Sequence, residues 1–275
     1  MRISKQRKKT TLAQQGRYLL ICMLSMMLFF LAGSMIILNR TQRQVYEQLE
    51  EISKLYTDEL DNRFLRISRN LFSTVMDSSN PDSDFWKYMD LMEKDQYEEY
   101  VITQLRKKYV SAAWDFGTDY NVFLYTKKDK SLYQLSISSD GFYAIDPYLQ
   151  EALKCRINSL SQQTYAVKKK WAVMQQGDEV YMLKVAQSQG VGLGCYVNLK
   201  TILEPFSKLS LGKSGYVSLV DQNGKNIVTV TEKGIVRDSS KLDTGNYTFR
   251  QELSQSPFEI RIKISWTGVL NLMTG

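Results

Sequence analysis

The sequence of 275 residues contains no histidine, and this absence excludes several classes of site. Without histidine, these residues form no Ser-His-Asp or Cys-His catalytic site, no zinc site with imidazole ligands and no phosphoaccepting histidine. Cysteine is also scarce, with three residues in the chain. Cys22 lies in an apolar segment, whereas Cys155 and Cys195 lie beyond it, where a disulfide is chemically permitted. The sequence leaves open whether these two pair.

Complete nucleotide-binding motifs are also missing. The run Gly190-Val-Gly192-Leu-Gly194 has its third glycine one position too early for a dinucleotide-binding turn, and the pattern after it is that of a strand. We interpret this run as a flexible connection between strands. The run from Ser207 to Ser214 resembles a phosphate loop but lacks its first glycine. The sequence therefore predicts no catalytic residue, no cofactor and no metal site. Nothing in it indicates an exported enzyme.

Acidic residues are absent from the first 43 positions, which hold eight of the 36 basic residues. The remaining 28 basic residues face 29 acidic ones, so the net charge of +7 resides in the N-terminal tail. A body that is close to neutral has no extended positive field for phosphates. We therefore expect no nucleic-acid binding.

An uncharged run of 21 residues, from Tyr18 to Leu38, follows the basic tail. As a helix it would extend about 31 Å, which matches the hydrocarbon core of a bilayer. Because basic residues favour the cytoplasmic side, we expect residues 1–17 to be a cytoplasmic tail, 18–38 a transmembrane helix and 39–275 extracellular, in a single-pass cell-membrane protein. A cleaved signal peptide is the alternative, with Ala32-Gly33-Ser34 as its cleavage site.

A long helix is predicted for residues 39–77, because neither glycine nor proline occurs between Thr41 and Asp77. Apolar residues recur there at steps of three or four, which is the spacing of an amphipathic helix. They are Val45, Leu49, Ile52, Tyr56, Leu60, Phe64, Ile67, Leu71 and Val75. We expect this stripe to pack on the helix's own domain, with a homodimer contact near the membrane.

The remainder alternates between helical and strand patterns, which predicts an α+β protein with two lobes, at residues 78–200 and 201–275. One helix is expected from Asp84 to about Ala113. The other predicted elements are strands Asn121–Thr126, Ser131–Ser136, Thr164–Met174, Glu179–Ser188, Cys195–Leu199, Tyr216–Val220, Asn226–Val230, Asn246–Glu252 and Phe258–Ser265, and helices Pro147–Leu160 and Thr201–Leu209.

The hairpin at the start of the smaller lobe is the most specific signal in the chain. Asp221-Gln-Asn-Gly224 separates its two strands, and the Asp221 carboxylate is placed to accept hydrogen bonds from backbone N–H groups two residues on. The run Gly215-Tyr-Val-Ser-Leu-Val-Asp221-Gln-Asn-Gly224-Lys resembles the hairpin of the membrane-proximal lobe in double Cache (dCache) extracellular sensor domains.

This resemblance covers residues 1 to about 270 and implies two PAS-like antiparallel-sheet lobes. It also implies the N-terminal half of a sensor histidine kinase from a Gram-positive bacterium, sensing a small extracellular ligand without enzymatic activity of its own. Such kinases continue into a second span and a kinase module, so we expect the chain to be truncated. A response regulator would be a partner only if a kinase module follows. The alternative is a membrane-anchored structural or assembly protein.

The resemblance places the ligand on the sheet of the membrane-distal lobe, where aromatic and acidic side chains could enclose a small solute. The candidate ligand-binding residues are Trp114, Asp115, Tyr125, Tyr143, Asp146, Trp171 and Tyr181. The competing interpretation is that most of these aromatic residues belong to the core. Neither the ligand, the output module nor the dimer geometry follows from the sequence.

Overall fold

The structure is a computed structural model that describes residues 3–77, 83–93, 97–117, 119–137, 144–161, 170–209, 211, 214–231, 234–236 and 248–265. The backbone alone is described for residues 3–15, 110–116, 161, 235 and 236. The chain separates into two compact units, Met1–Leu49 and Glu50–Gly275.

The first unit is helical and contains the apolar run. Helix α1 (Ile3–Met76) begins here, so the predicted membrane segment and the predicted long helix belong to one helical element. The large apolar side chains between Tyr18 and Leu38 are exposed. Within the described part of the chain, this is the one helix that is long and apolar enough to cross a membrane.

The second unit contains two antiparallel sheets, which confirms the predicted α+β class. Helices α2 (Asp84–Glu93), α3 (Glu98–Phe116) and α4 (Pro147–Ser161) accompany the first sheet, and α5 (Leu199–Ser207) follows it. The strands of the first sheet are β1 (Asn121–Thr126), β2 (Ser131–Gln134), β3 (Ala172–Gln176), β4 (Glu179–Ser188) and β5 (Val191–Asn198). Those of the second are β6 (Tyr216–Asp221), β7 (Asn226–Thr231), β8 (Gly234–Val236), β9 (Phe249–Glu252) and β10 (Phe258–Lys263).

The larger sheet has the strand order β2-β1-β5-β4-β3, and its register assigns each side chain to one of two faces. Tyr125 lies opposite Gly192, and Leu183 lies opposite Tyr196, so these four positions share a face. We call it the front face. The alternate positions, which include Lys184, form the back face.

Helix α4 covers the front face. Its Leu149, Leu153 and Ile157 are buried in one cluster with Phe123 and Tyr196 of the sheet. These helix positions are four residues apart, which is the spacing that aligns side chains along one face. The front face is therefore a packed layer along α4.

The predicted apolar stripe of α1 is confirmed from Leu60 onward, where Phe64, Ile67, Leu71 and Val75 are almost completely buried. Leu49 is also buried as predicted, but between Leu49 and Leu60 the prediction is wrong. The small side chains Ser53 and Thr57 are buried there, whereas the neighbouring Ile52 and Tyr56 are exposed. Two neighbouring positions lie about 100° apart around a helix, so the buried face is displaced by one residue.

The smaller sheet has the order β8-β7-β6-β10-β9. In β10, buried positions alternate with partly buried ones, as predicted for a strand with one buried face. Helix α5 packs against strands of both sheets. Its Leu203 and Phe206 are buried, and the Asn198 side chain caps its N-terminus by accepting a hydrogen bond from Lys200 N. This short helix therefore connects the cores of the two lobes.

The hairpin of β6 and β7 has the predicted geometry. The Asp221 Oδ1 atom accepts hydrogen bonds from Asn223 N at 2.9 Å and from Lys225 N at 2.8 Å. Gly224 has a φ of +77°, a conformation that side chains other than glycine rarely adopt. A Cβ atom at Gly215 would overlap the carbonyl oxygen of Leu211. The backbone geometry of the hairpin therefore accounts for Gly215, Asp221 and Gly224, the residues that identify this motif.

Two element predictions need correction. The single helix expected from Asp84 to Ala113 is two helices, α2 and α3, which pack against each other. The glycine-rich run is not a flexible connection, because Gly192 and Gly194 lie inside β5. The ring of Phe123 lies against the backbone of Gly194 and occupies the space that a side chain would need.

Replacement of Gly194 by alanine should therefore destabilise the fold. The added methyl group would overlap the Phe123 ring, and we expect the free energy of unfolding to fall by about 1–3 kcal/mol, as for other overpacked cores. Denaturant unfolding of the purified chain in detergent, followed by tryptophan fluorescence, measures the change.

Gly192→Ala is the matched control, because its nearest neighbours, Val185 Cγ1 and Gln187 Cγ, lie 3.4 Å from the added atom. This variant should lose clearly less stability. The double variant Phe123→Leu with Gly194→Ala should be more stable than the sum of the two single changes predicts. Equal losses for the two glycine variants would contradict the packing explanation.

Candidate functional site

The front face carries two of the seven candidate residues, and a third lies at the start of α4. Tyr125 is buried, and its hydroxyl donates a 3.0 Å hydrogen bond to Asn158 Oδ1 of α4. Tyr181 is half-buried and contacts the Tyr196 ring edge to face, with centroids 6.0 Å apart. The structure thus brings Tyr125 and Tyr181 into one layer beneath α4.

Asp146 caps α4. Its carboxylate accepts hydrogen bonds from Tyr148 N at 2.9 Å and from Leu149 N at 3.1 Å, while its side chain stays exposed. Burial raises the pKa of Tyr181, and the charges of Glu179 and Asp146 raise it further. The Asp146 carboxylate therefore acts on Tyr181 through its charge, and it also caps the helix that covers the face.

A polar network lies under the same helix. Tyr196 donates to Gln134 Oε1 at 3.0 Å, and Gln134 Nε2 donates to Asn121 Oδ1 at 3.1 Å. Burial raises the pKa of Tyr196 far above its ordinary value, so the hydroxyl stays protonated as a donor. These groups satisfy each other, which fixes the orientation of the Tyr196 ring.

Trp171 has a different position from the one expected for a ligand-binding residue. Its ring stacks on Phe64 of α1 with centroids 4.5 Å apart, and its Nε1 donates to Ser68 Oγ at 3.1 Å. Its backbone N donates to Gln255 O of the smaller lobe at 2.8 Å. Trp171 is therefore a junction residue that contacts α1 and both lobes.

The side chains of the remaining three candidates lie outside the described residues. Trp114 and Asp115 lie in the last turn of α3, and their side chains are outside the described residues. Tyr143 is also outside the described residues. Their assignment to a ligand site stays a prediction.

A cavity of ≈190 Å³ opens where the front face meets α1, and we call it the helix-edge cavity. The sheet contributes Leu183, Val185 and Gln187, and the last turns of α1 contribute Phe72 and Met76. Leu160 and Lys170 complete the lining. The alternation of β4 predicts that its three residues share a face, but no sequence signal pairs them with a helix more than 100 positions away.

A wider cleft of ≈720 Å³ lies between the two sheets, beside α5. Charged side chains from the β3–β4 turn and from α5 line it, together with Val228 and Val230 of β7. They are Asp178, Glu179, Lys200 and Glu204. This cleft marks the boundary between the lobes, and none of the described residues that line it belongs to α1.

Helix α1 also contacts the smaller lobe directly. The Asp61 carboxylate accepts hydrogen bonds from Ser254 Oγ at 2.6 Å and from Gln255 N at 3.1 Å, both in the turn between β9 and β10. Asp58 accepts a further one from the Gln251 side chain. A displacement of α1 would therefore change these hydrogen bonds and act on the β9–β10 hairpin.

A buried lysine lies on the back face close to the helix-edge cavity. Lys184 is 1% exposed, and its Nζ lies 5.2 Å from the centre of the Phe72 ring. Burial lowers its pKa from 10.5 to about 8. The favourable contact between a cation and an aromatic face offsets part of the cost of burying the charge.

The cysteines are free in the structure. Cys155 is exposed on α4, whereas Cys195 is fully buried in β5, and its register places it on the back face. Because α4 covers the opposite face, the two are not positioned to pair. Within the described residues, no group of three or more acidic or cysteine side chains is placed to hold a metal ion.

Comparisons with known proteins give similarities at the level of structure. No protein-family model and no curated protein matches the sequence. The extracellular domain of a protein described as a histidine kinase, rpHK1S-Z16, is similar over 82% of this chain and 95% of that one, with 9% identity and a TM-score of 0.45.

The ligand-binding domain of the Campylobacter jejuni chemoreceptor Tlp3, in complex with L-valine, is similar over 84% of this chain and 98% of that one, with 11% identity and a TM-score of 0.39. The Tlp3 sensory domain with isoleucine bound has 12% identity and a TM-score of 0.34. All three TM-scores are below 0.5, so the function has to be inferred from the residues of this chain.

The lowered pKa of Lys184 predicts a pH dependence of stability. Between pH 8 and 10.5 the unfolded chain binds more protons at this residue than the folded chain, so the stability it contributes should rise with pH. We expect a gain of about 1 kcal/mol between pH 8 and about 9.5, and Lys184→Met should abolish it.

The measurement is the free energy of unfolding of both proteins across this range, compared as a difference. The pH range ends below 10 because, above that pH, tyrosines whose pKa is raised by burial make the free energy of unfolding fall as the pH rises. Burial raises the pKa of Tyr109 to about 12, for example. Parallel curves for the two proteins would contradict the assignment to Lys184.

Proposed function

We propose that residues 39–275 are the extracellular ligand-sensing region of a single-pass membrane receptor. In this proposal residues 1–17 are cytoplasmic and residues 18–38 cross the membrane. The uncharged run, its exposed apolar side chains and the basic residues before it support this topology. The membrane-distal lobe comprises residues 78–200, the membrane-proximal lobe comprises residues 201–275, and neither acts as an enzyme.

The helix-edge cavity carries the proposal. It is lined on one side by the sheet and on the other by Phe72 and Met76, which belong to the helix that also contains the apolar run. A small extracellular solute in this cavity would contact α1 itself. Binding can shift the receptor between two arrangements only if the solute prefers one of them, and a difference of about 1.4 kcal/mol changes their ratio tenfold.

Ligand contacts would also reach the rest of the front face. Val185 and Leu183 of the cavity pack with the cluster beneath α4, in which Tyr125 and Tyr181 lie. We propose that Tyr125, Tyr181 and Asp146 control the position of α4 over the site. Trp114, Asp115 and Tyr143 remain candidates for direct contact, and Trp171 acts at the junction.

In this proposal, a movement of α1 reaches the smaller lobe through Asp61. A shift of α1 would strain its hydrogen bonds to Ser254 and Gln255 and move the β9–β10 hairpin. That hairpin precedes the C-terminal residues, which in a sensor kinase would lead into a second span. The motif from Gly215 to Gly224 supports a double Cache sensor domain. The finer proposal, from the order of elements along the chain, is a two-component sensor histidine kinase, which would act on a response regulator only if a kinase module follows.

Exposed apolar residues on α1 support a homodimer. Leu55 is 70% exposed and Ile52 is 41% exposed, whereas the opposite side of this helix is buried. The same surface would serve a membrane-anchored assembly protein that pairs with another chain, which is the alternative function. A ligand in the helix-edge cavity distinguishes the receptor from this alternative.

A thermal-shift screen of small metabolites against the chain in nanodiscs tests the receptor proposal. We expect at least one solute to raise the melting temperature in proportion to RT ln(1 + [L]/Kd). Val185→Phe should abolish this effect by filling the cavity. Val173→Phe on the neighbouring strand is the matched control and should respond as the unmodified chain does.

A complete absence of binders would weaken the proposal. Binding that survives Val185→Phe would place the ligand elsewhere, and co-purification of a stable stoichiometric partner, with no bound solute, would favour the assembly protein.

Cysteine cross-linking tests the homodimer. In a chain with Cys22 and Cys155 replaced by serine, Leu55→Cys should form a covalent dimer on mild oxidation, because exposed Leu55 residues would face each other. Non-reducing gel electrophoresis measures it. Lys54→Cys, on another side of the same helix turn, should cross-link much less, and equal yields at the two positions would contradict this surface.

A further inference from the structure

The turn between β9 and β10 contacts α1 on one side and the larger lobe on the other. Asp61 of α1 accepts hydrogen bonds from Ser254 N at 3.2 Å, from Ser254 Oγ at 2.6 Å and from Gln255 N at 3.1 Å. Gln255 O accepts a hydrogen bond of 2.8 Å from Trp171 N, directly before β3. Gln255 therefore connects α1 to the larger lobe.

Trp171 closes this connection into a ring, because its side chain contacts α1 again. Its Nε1 donates to Ser68 Oγ at 3.1 Å, and its indole ring stacks on Phe64. Phe64 and Ser68 lie three and seven residues after Asp61, so the three positions share one face of the helix. We call the ring of contacts through Asp61, Gln255, Trp171, Phe64 and Ser68 the three-way latch.

The two contacts of the latch with α1 differ in burial. Trp171 and Phe64 are each 1% exposed. Asp61 is partly exposed and Ser254 is exposed, so the hydrogen bonds between these two residues lie at the surface. Local openings in proteins occur where hydrogen bonds are exposed and few apolar contacts oppose the opening. The contact at Asp61 is therefore the one at which the latch would open first.

The carboxylate of Asp61 suits this contact because three donors converge on it. Its Oδ2 atom accepts both hydrogen bonds from Ser254, and its Oδ1 atom accepts the one from Gln255. Hydrogen bonds to a charged acceptor are about twice as strong as those between neutral groups. An asparagine would lose the charge and direct an amide donor at one of these donors, so it cannot reproduce the contact.

The latch also fixes the position of α1 along its own axis. Asp58 lies three residues before Asp61 and accepts a hydrogen bond from the Gln251 side chain. A screw shift of α1 by three residues, about 4.5 Å, would bring Asp58 to the turn, but it would also bring Asp61 beneath the buried Trp171 ring. An unpaired charge in such a place is strongly unfavourable. The helix can therefore slide only after the latch has opened.

We propose that the three-way latch is a conformational switch. The β9–β10 turn leaves Asp61 and the Trp171 backbone in one step while both lobes stay folded, and this release allows α1 to move. Lys170, which lines the helix-edge cavity, directly precedes Trp171, so a solute in that cavity would act on the latch. This link rests on the proposed function, whereas the latch itself requires no ligand.

Asp61→Asn tests the release. Hydrogen exchange of the chain in nanodiscs, followed by mass spectrometry with fragmentation to single residues, gives the exchange rate of each amide. We expect the amides of Ser254, Gln255 and Trp171 to exchange at least about tenfold faster than in the unmodified chain. The Trp171 amide is decisive, because its acceptor is Gln255 O and not the substituted side chain.

Asp58→Asn is the matched control, because the asparagine oxygen can keep the hydrogen bond from Gln251. This variant should change the exchange rates of the latch amides by less than about twofold. The Leu253 amide is bonded within the hairpin, and Ile260 lies in the core of β10. The amides of these two residues should keep their protection in both variants, because the hairpin and the lobe stay folded.

A change at Trp171 should act in the reverse direction, because coupling between two contacts is reciprocal. Trp171→Phe removes the indole donor and should raise the exchange rates of Ser254 and Gln255 by about threefold or more, although their acceptor on α1 is unaltered. Trp86→Phe on α2 is the same substitution outside the latch, and it should leave both amides unchanged.

Three results would overturn the proposal. The first is a Trp171 amide that keeps its protection in Asp61→Asn while Gln255 loses it, which would mean two separate contacts. The second is an equal effect of Asp58→Asn. The third is a parallel loss of protection at Ile260, which would mean that only unfolding of the lobe releases the turn. Because these measurements use no solute, failure of the receptor proposal is distinguishable from failure of the latch.

Discussion

The burial of one stripe of α1 against the sheet-bearing unit is the constraint on which the rest of the structure depends. Phe64, Ile67 and Leu71 are at most 1% exposed, and complete burial of a side chain of this size contributes about 1.5–3 kcal/mol. Trp171 fixes the position of the stripe, because its ring stacks on Phe64 and its backbone reaches the smaller lobe. Together with the hydrogen bonds that Asp61 accepts from Ser254 and Gln255, this contact joins α1 to both lobes.

The two faces of the larger sheet have different roles as a consequence. The back face meets α1 at Phe72, and the buried Lys184 lies against the ring of that residue. The front face is closed by α4, and its small positions at Gly192 and Gly194 admit the large rings that fill the layer. A site that is to influence α1 must therefore lie at the edge where helix and sheet meet, since the centre of each face is filled.

Much of the fold could be predicted from the sequence because its signals are local. The hairpin around Asp221 and the buried alternation of β10 were both confirmed, since each depends on residues within one hairpin or strand. The burial of Ser53 and Thr57 was not predicted, because the expected buried face of the helix was defined by its apolar residues alone. Their small side chains are buried there, so burial at this point does not follow hydrophobicity.

The sequence by itself determined the charge-free run, the α+β class and the exclusion of histidine chemistry, because these depend on composition and periodicity. The tertiary structure alone decided which aromatic residues pack together: Tyr125 and Tyr181 lie in one layer, whereas Trp171 belongs to a junction. It also decided that Phe72 meets Val185 across a cavity. Such contacts join positions far apart in the chain, and they exist only once packing has brought a helix and a strand together.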